Sequence, residues 1–134
     1  DSAEMDDQKG VSVYVGAVFL KQGSLEIEAD KITIYSDAQG VKEMVAVGQP
    51  VKLRQRPTLK DPLTKGFALR IEYDADNDSA LLINQAKLIQ GGDVITGDRI
   101  KFDIEKDIAT ATSTNKNKQV EMVIQPRQKS KGNK

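Results

Sequence analysis

An all-β fold is predicted by three features of this chain. Apolar residues alternate with polar ones at period two through most of its length, turn-forming clusters interrupt the alternation at close intervals, and one turn-plus-strand unit recurs. The unit Gln22-Gly23-Ser24-Leu25-Glu26-Ile27-Glu28-Ala29-Asp30-Lys31-Ile32-Thr33-Ile34 returns 68 positions later as Gln90-Gly91-Gly92-Asp93-Val94-Ile95-Thr96-Gly97-Asp98-Arg99-Ile100-Lys101-Phe102. Gln22 falls on Gln90, Gly23 on Gly91, Ile27 on Ile95, Asp30 on Asp98, Lys31 on Arg99, Ile32 on Ile100 and Ile34 on Phe102. A looser copy sets Arg70, Ile71, Tyr73 and Asp74 on Arg99, Ile100, Phe102 and Asp103, 29 positions on. Self-similarity of this kind describes stacked supersecondary units that share one core.

Taken in order, Gln8-Lys9-Gly10 leads into the alternation Val11/Val13/Val15, and Gln22-Gly23 turns the chain into Leu25/Ile27/Ala29 and Ile32/Ile34. Ser36-Asp37-Ala38-Gln39-Gly40 and Gly48-Gln49-Pro50 read as the next turns, the second leading into Val51/Leu53. Between Arg54 and Gly66 the pattern lapses, and Pro57 and Pro62 make that stretch a loop. Leu69/Ile71/Tyr73, the turn Asp76-Asn77-Asp78, the second copy of the unit, Ile100/Phe102/Ile104, Glu105-Lys106-Asp107 and Val120/Met122/Ile124 complete the series. About a dozen short antiparallel strands are predicted, with the apolar parity of each lining the interior. That pattern fits a sandwich, barrel or jelly roll. Helical stripes do not persist, and without βαβ units a parallel α/β sheet is excluded.

At 134 residues the chain makes one domain, able to bury roughly two-thirds of its unfolded surface. Aromatics are 4 % of it, so aliphatic side chains must fill the core, which predicts either a cavity or a narrow gap between sheets. The absence of Cys and His removes thiol and imidazole nucleophiles, thiolate or imidazole metal sites and disulfides. No apolar run approaches the roughly 18 residues that cross a bilayer. A start at Asp1 fits either removal of a targeting segment or a shortened chain. Six basic side chains against Glu121 give residues 115–134 a charge of +5, leaving −5 on the rest. Such a polarity suits steering of anionic partners or head-to-tail contacts, and residues 126–134 read as a basic, disordered tail behind a domain of residues 1–125.

Motifs that could carry chemistry fail on their surroundings. Asp74-Ala75-Asp76-Asn77-Asp78-Ser79 has the alternating carboxylates of a calcium loop, but Ser79 stands where glycine is needed and Gln85 where glutamate is, so a polar Asx turn is predicted instead. Gly91-Gly92-Asp93 precedes a strand rather than a helix, which makes it a turn and no phosphate cradle. The pairs Glu26/Glu28 and Asp103/Glu105 alternate with core residues and should face water, which argues against a glycan hydrolase. Six aromatics, several in core parity, give no stacking platform for nucleic acid. No cofactor is called for.

The runs Gln22-Gly23-Ser24-Leu25, Ala29-Asp30-Lys31-Ile32, Ala46-Val47-Gly48-Gln49-Pro50-Val51, Lys65-Gly66 through Tyr73, and Gly97-Asp98-Arg99-Ile100 together resemble the OstA-like family of periplasmic lipopolysaccharide-transport proteins, in order over about residues 1–125. The resemblance implies an open-ended antiparallel β-jelly roll in the periplasm. It implies a non-enzymatic carrier that binds the lipid A part of lipopolysaccharide and links inner-membrane and outer-membrane transport complexes. It also implies head-to-tail association through sheet edges, and a further strand, usual in the family, ahead of the segment matching Asp1 to Met5.

Leu53 and Tyr73 match positions that line the interior in the family, and Ile71 lies on the same strand face as Tyr73. Parity within the chain adds Ile32, Ile34, Ile100 and Phe102 as lipid-binding candidates, while Lys31 and Arg99 are candidates to meet lipid phosphates. The competing reading is a structural module that polymerises edge to edge around a dry core and takes up no lipid.

Overall fold

The computed structural model describes residues 2–6, 10–56, 63–112 and 121–123, with side chains for 10–56 and 63–112. Among these residues nine strands form one antiparallel sheet: β1 Ser2–Asp6, β2 Val11–Gln22, β3 Leu25–Asp37, β4 Gly40–Gln55, β5 Thr64–Asp74, β6 Ser79–Gln90, β7 Asp93–Asp103, β8 Ile108–Thr112 and β9 Glu121–Val123. They lie side by side in chain order from β1 to β8, with β9 also on β7, and among the described residues β1 and β8 do not pair, so the sheet is open. The predicted 126–134 tail lies outside the described residues.

The expectation of a dozen short strands is corrected, because the six central strands run 11 to 16 residues each. Several breaks in the alternation are bulges within strands rather than chain reversals. Register shifts fall between Val15 and Val18, Glu28 and Lys31, Val47 and Val51, Phe67 and Arg70, and Ile83 and Ala86, one on each successive pairing from β2 to β7. At three of them the interrupted alternation leaves two adjacent exposed residues: Asp30-Lys31, Gln49-Pro50 and Asn84-Gln85. Bulges bend and twist a strand, and bulges in line across a sheet fold it. The result is a crease with one panel on each side, every long strand belonging to both.

The recurring unit encodes this crease. Gly23 and Gly91 take φ of 62° and 61° at equivalent turns, Ile27 and Ile95 lie in one cross-strand row of the second panel, and Ile32 and Ile100 lie in one row of the first. The looser copy obeys the same assignment, since Ile71 joins the row of Ile32 and Ile100, and Tyr73 joins that of Ile34 and Phe102.

The panels pack face to face. Leu82 of the first meets Gly66 of the second so closely that a Cβ there would stand 3.0 Å from Leu82 Cδ2, with Leu53 and Leu88 at 3.6 Å. Ala29, Ala46, Ala68, Ala80 and Ala86 alternate with Ile27, Ile32, Met44, Leu53, Ile71, Leu82 and Ile100 in the buried cluster. Small residues opposite large ones give the narrow gap that a chain poor in aromatics requires. Each of those large side chains is under 2 % exposed and contributes about 1.5–3 kcal/mol by leaving water.

Two further expectations are corrected. Val11, Val13 and Val15 pair with Tyr35, Thr33 and Lys31 on the outside, whereas Ser12 and Tyr14 share rows with Ile34 and Ile32. The apolar parity of this strand is its outer one. The lapse predicted between Arg54 and Gly66 is also shorter, for Gln55 and Thr64 pair with each other and are buried. Polar side chains hid the strand ends there, because a buried amide and hydroxyl can be satisfied by one another's neighbours.

Candidate functional site

The interior face is a set of apolar rows running across the strands. In the first panel, one row carries Ile32, Ala46, Ile71, Leu82, Ile100 and Ala111, and the next carries Ile34, Met44, Tyr73, Ala80, Phe102 and Ala109. In the second panel, Leu20, Ile27, Leu53, Gly66, Leu88 and Ile95 form the facing row. Each row crosses from β2 or β3 to the last strands without interruption. An apolar path therefore runs along the stacking direction of the sheet.

All seven candidate lipid-binding residues lie on this path. Ile32, Ile71 and Ile100 occupy the row nearer the crease, Ile34, Tyr73 and Phe102 the row nearer the free margin, and Leu53 stands on the opposite panel. Ile34 is only partly buried, while the other six are within the core. Met44, Leu82, Ile27 and Leu88 belong with them and escaped the sequence reading. Ile27 was available from its match to Ile95 in the repeat, but Leu82 sits in the unbroken run Leu81-Leu82-Ile83, where parity is silent.

Opposite the crease, the two margins of the panels carry different chemistry. Along the second panel, Gln55 Nε2 donates to Ser24 Oγ at 2.8 Å, and Gln90 Nε2 donates to Thr64 Oγ1 at 3.0 Å and to Asp107 Oδ1. Asp107 belongs to the β7–β8 turn at the margin of the first panel, so Gln90 spans the mouth between the panels. On the first panel's margin the Tyr73 hydroxyl donates to Asp78 Oδ1 at 2.9 Å. Burial, followed by that hydrogen bond and the nearby Asp78 and Asp74 charges, pushes the phenol up to about 12.

The remaining candidate residues serve the surface. Asp74 accepts from the backbone N–H of Asp76 at 3.0 Å and from Asn77 Nδ2 at 2.7 Å, the Asx turn the sequence predicts, and these bonds, Asn77's amide foremost, hold its carboxyl below the usual range. Lys42 bonds Asp76 at 2.8 Å, which raises its own pKa. Among the described residues no cluster of Asp and Glu is arranged to hold a metal. Lys31 and Arg99 are exposed on the convex side of the crease, away from the mouth. The carboxylate pairs Glu26/Glu28 and Asp103/Glu105 lie off the apolar rows.

Comparison with known proteins agrees with this geometry. Residues 1–108 match the family described as LptA/(LptD N-terminal domain) LPS transport protein. The lipopolysaccharide export system protein LptH of Pseudomonas aeruginosa is 37 % identical over 136 residues, covering 96 % of this chain and 78 % of the relative. LptA of Haemophilus influenzae is 32 % identical, covering 92 % and 73 %, and LptA of Escherichia coli K12 is 30 % identical, covering 96 % and 69 %. The crystal structure of Pseudomonas aeruginosa LptH, described as the periplasmic component of the lipopolysaccharide transport device, superposes with a TM-score of 0.86 at 36 % identity, covering 94 % of this chain and 92 % of that one.

Proposed function

Since this chain belongs to the LptA/LptD N-terminal-domain family of lipopolysaccharide transport proteins, a family of carriers rather than enzymes, we propose that it carries lipopolysaccharide through the periplasm with the lipid A acyl chains held between its two panels. The observation that carries this reading is the continuity of the apolar rows from one end of the sheet to the other. Each acyl CH₂ exposed to water costs about 0.8 kcal/mol, so a many-chained lipid needs a path that is apolar at every step. The panels already touch at Gly66 and Leu82, so acyl chains enter by spreading them at the mouth and replacing the contacts between facing rows. Aliphatic contacts are non-directional, which suits a cargo that must keep moving.

Ile32, Ile34, Leu53, Ile71, Tyr73, Ile100 and Phe102 are the proposed lipid contacts, with Met44 and Leu82 between them. The open sheet supports the further proposal of head-to-tail association, because among the described residues the outer edges of its first and last strands have no strand partner and can accept another copy's strand. Copies joined in this way would align their rows and bridge inner-membrane and outer-membrane complexes.

A photo-crosslinker at Tyr73, with another at Glu72 as the outward control, tests the reading against purified lipopolysaccharide. Labelling at Tyr73 alone is expected. Labelling at neither position would leave a dry structural module that polymerises through its edges.

A further inference from the structure

The outer face of the second panel carries a cluster that the interior path does not use. Lys52 of β4 and Lys87 of β6 stand directly opposite Phe67 of β5, one on each side, and in the next row Arg54 stands directly opposite Lys65. Like charges placed directly across an antiparallel pair destabilise a sheet, so this pairing runs against folding. On the other side of β4, Glu28 stands directly opposite Lys52 and Glu26 directly opposite Arg54, which leaves Lys65 and Lys87 without a carboxylate across from them. Glu26 reaches Arg54 at 4.0 Å, and among the described residues Lys52, Lys65 and Lys87 form no ion pair. Between these side chains lies a hollow of about 330 Å³, walled by Lys52, Arg54, Lys65 and Phe67 with Glu26 and Glu28 at its side.

We propose that this hollow is a second binding site, for a phosphorylated saccharide. Three cations around two carboxylates, with Lys87 on the far side of Phe67, favour an anion, and guanidinium beside ammonium suits phosphate oxygens. Phe67, half-buried at the centre, offers an apolar ring face to the C–H face of a sugar. The position fits the cargo, since Arg54 and Lys65 adjoin Gln55 and Thr64 of the polar margin on the same two strands. A headgroup leaving the mouth would fold round that margin by one residue and meet them. In this form the inference rests on the carrier reading, while the anion site itself does not.

The test is titration of the full chain with deacylated, phosphorylated lipopolysaccharide oligosaccharide, followed by backbone amide NMR. Shifts centred on Lys52, Lys65 and Phe67 are expected, with affinity about tenfold or more weaker in the double variant Arg54→Gln/Lys65→Gln. The same saccharide without its phosphates is expected not to bind, and inorganic phosphate to bind more weakly than the intact saccharide. Equal binding by the double variant, or shifts elsewhere on the surface, would overturn the site. Inorganic phosphate binding as well as the saccharide would overturn the sugar contact. Lys65→Glu serves as the second variant, because it should bind worse yet melt at a higher temperature than the parent as it pairs with Arg54. Labelling at Tyr73 should persist in both variants, so failure of this site and failure of the interior path are read separately.

Discussion

The two panels are made from the same strands, yet their interior faces end differently at the mouth. The first panel ends on Ile34, Met44, Tyr73 and Phe102, whereas the second ends on a row in which Gln55, Thr64 and Gln90 follow Leu25. One lip of the groove is therefore apolar up to the Tyr73 hydroxyl, and the other presents the Gln55 amide bonded to the Ser24 hydroxyl and the Gln90 amide bonded to the Thr64 hydroxyl and to Asp107 across the mouth. An amphiphile lying between them meets a wall suited to its chains on one side and a rim suited to its headgroup on the other. The asymmetry teaches that orientation of a cargo can be set without a specific pocket, by giving two otherwise similar walls unlike edges.

The largest disturbance to this arrangement is a charge where the panels touch. Ile71→Asp places a carboxylate at a position 1 % exposed, and about 4 kcal/mol or more of stability should be lost, seen as loss of the cooperative transition in thermal denaturation. Leu82→Ala opens a void against Gly66 and should cost about 2–5 kcal/mol by denaturant unfolding. The polar lip is cheaper to alter. Gln90→Ala removes the bond across the mouth and should cost about 1 kcal/mol while speeding lipopolysaccharide uptake, measured as the rate of Tyr73 labelling. An unchanged rate would show that the two lips are not joined there in solution.

The smallest effect is one of pH. Tyr73 holds its proton to about 12 in the fold, while an unfolded tyrosine releases it near 10, so the unfolded chain binds fewer protons between those values. Its contribution to stability is complete below pH 10 and declines as pH rises toward 12. Tyr73→Phe should flatten that decline in the alkaline limb of a melting-temperature profile, and an unaltered slope would mean that another group sets it.

Much of this was legible in the sequence. The repeat aligned Ile32 with Ile100 and Ile34 with Phe102, and those pairs share rows because repeated residues occupy repeated positions in a folded sheet. The crease was not legible. A bulge interrupts alternation in the same way a turn does, and Gly48-Gln49-Pro50 carries turn residues, so one strand of sixteen residues read as two. Val11, Val13 and Val15 misled for a different reason. Near an open edge the outer face is partly covered, and valines there satisfy β-propensity without entering the core. Gln90 showed itself only as a turn former, since nothing local tells that its side chain will reach Asp107.

The crease has one more consequence. Because every long strand crosses it, each strand added to the stack lengthens both walls at once, by the spacing between hydrogen-bonded strands. Among the described residues the eight strands in line span about 34 Å at that spacing. The molecule is in this sense a ruler whose graduations are strands. Its reach can change only in whole steps, and what lies between the walls has no part in setting it.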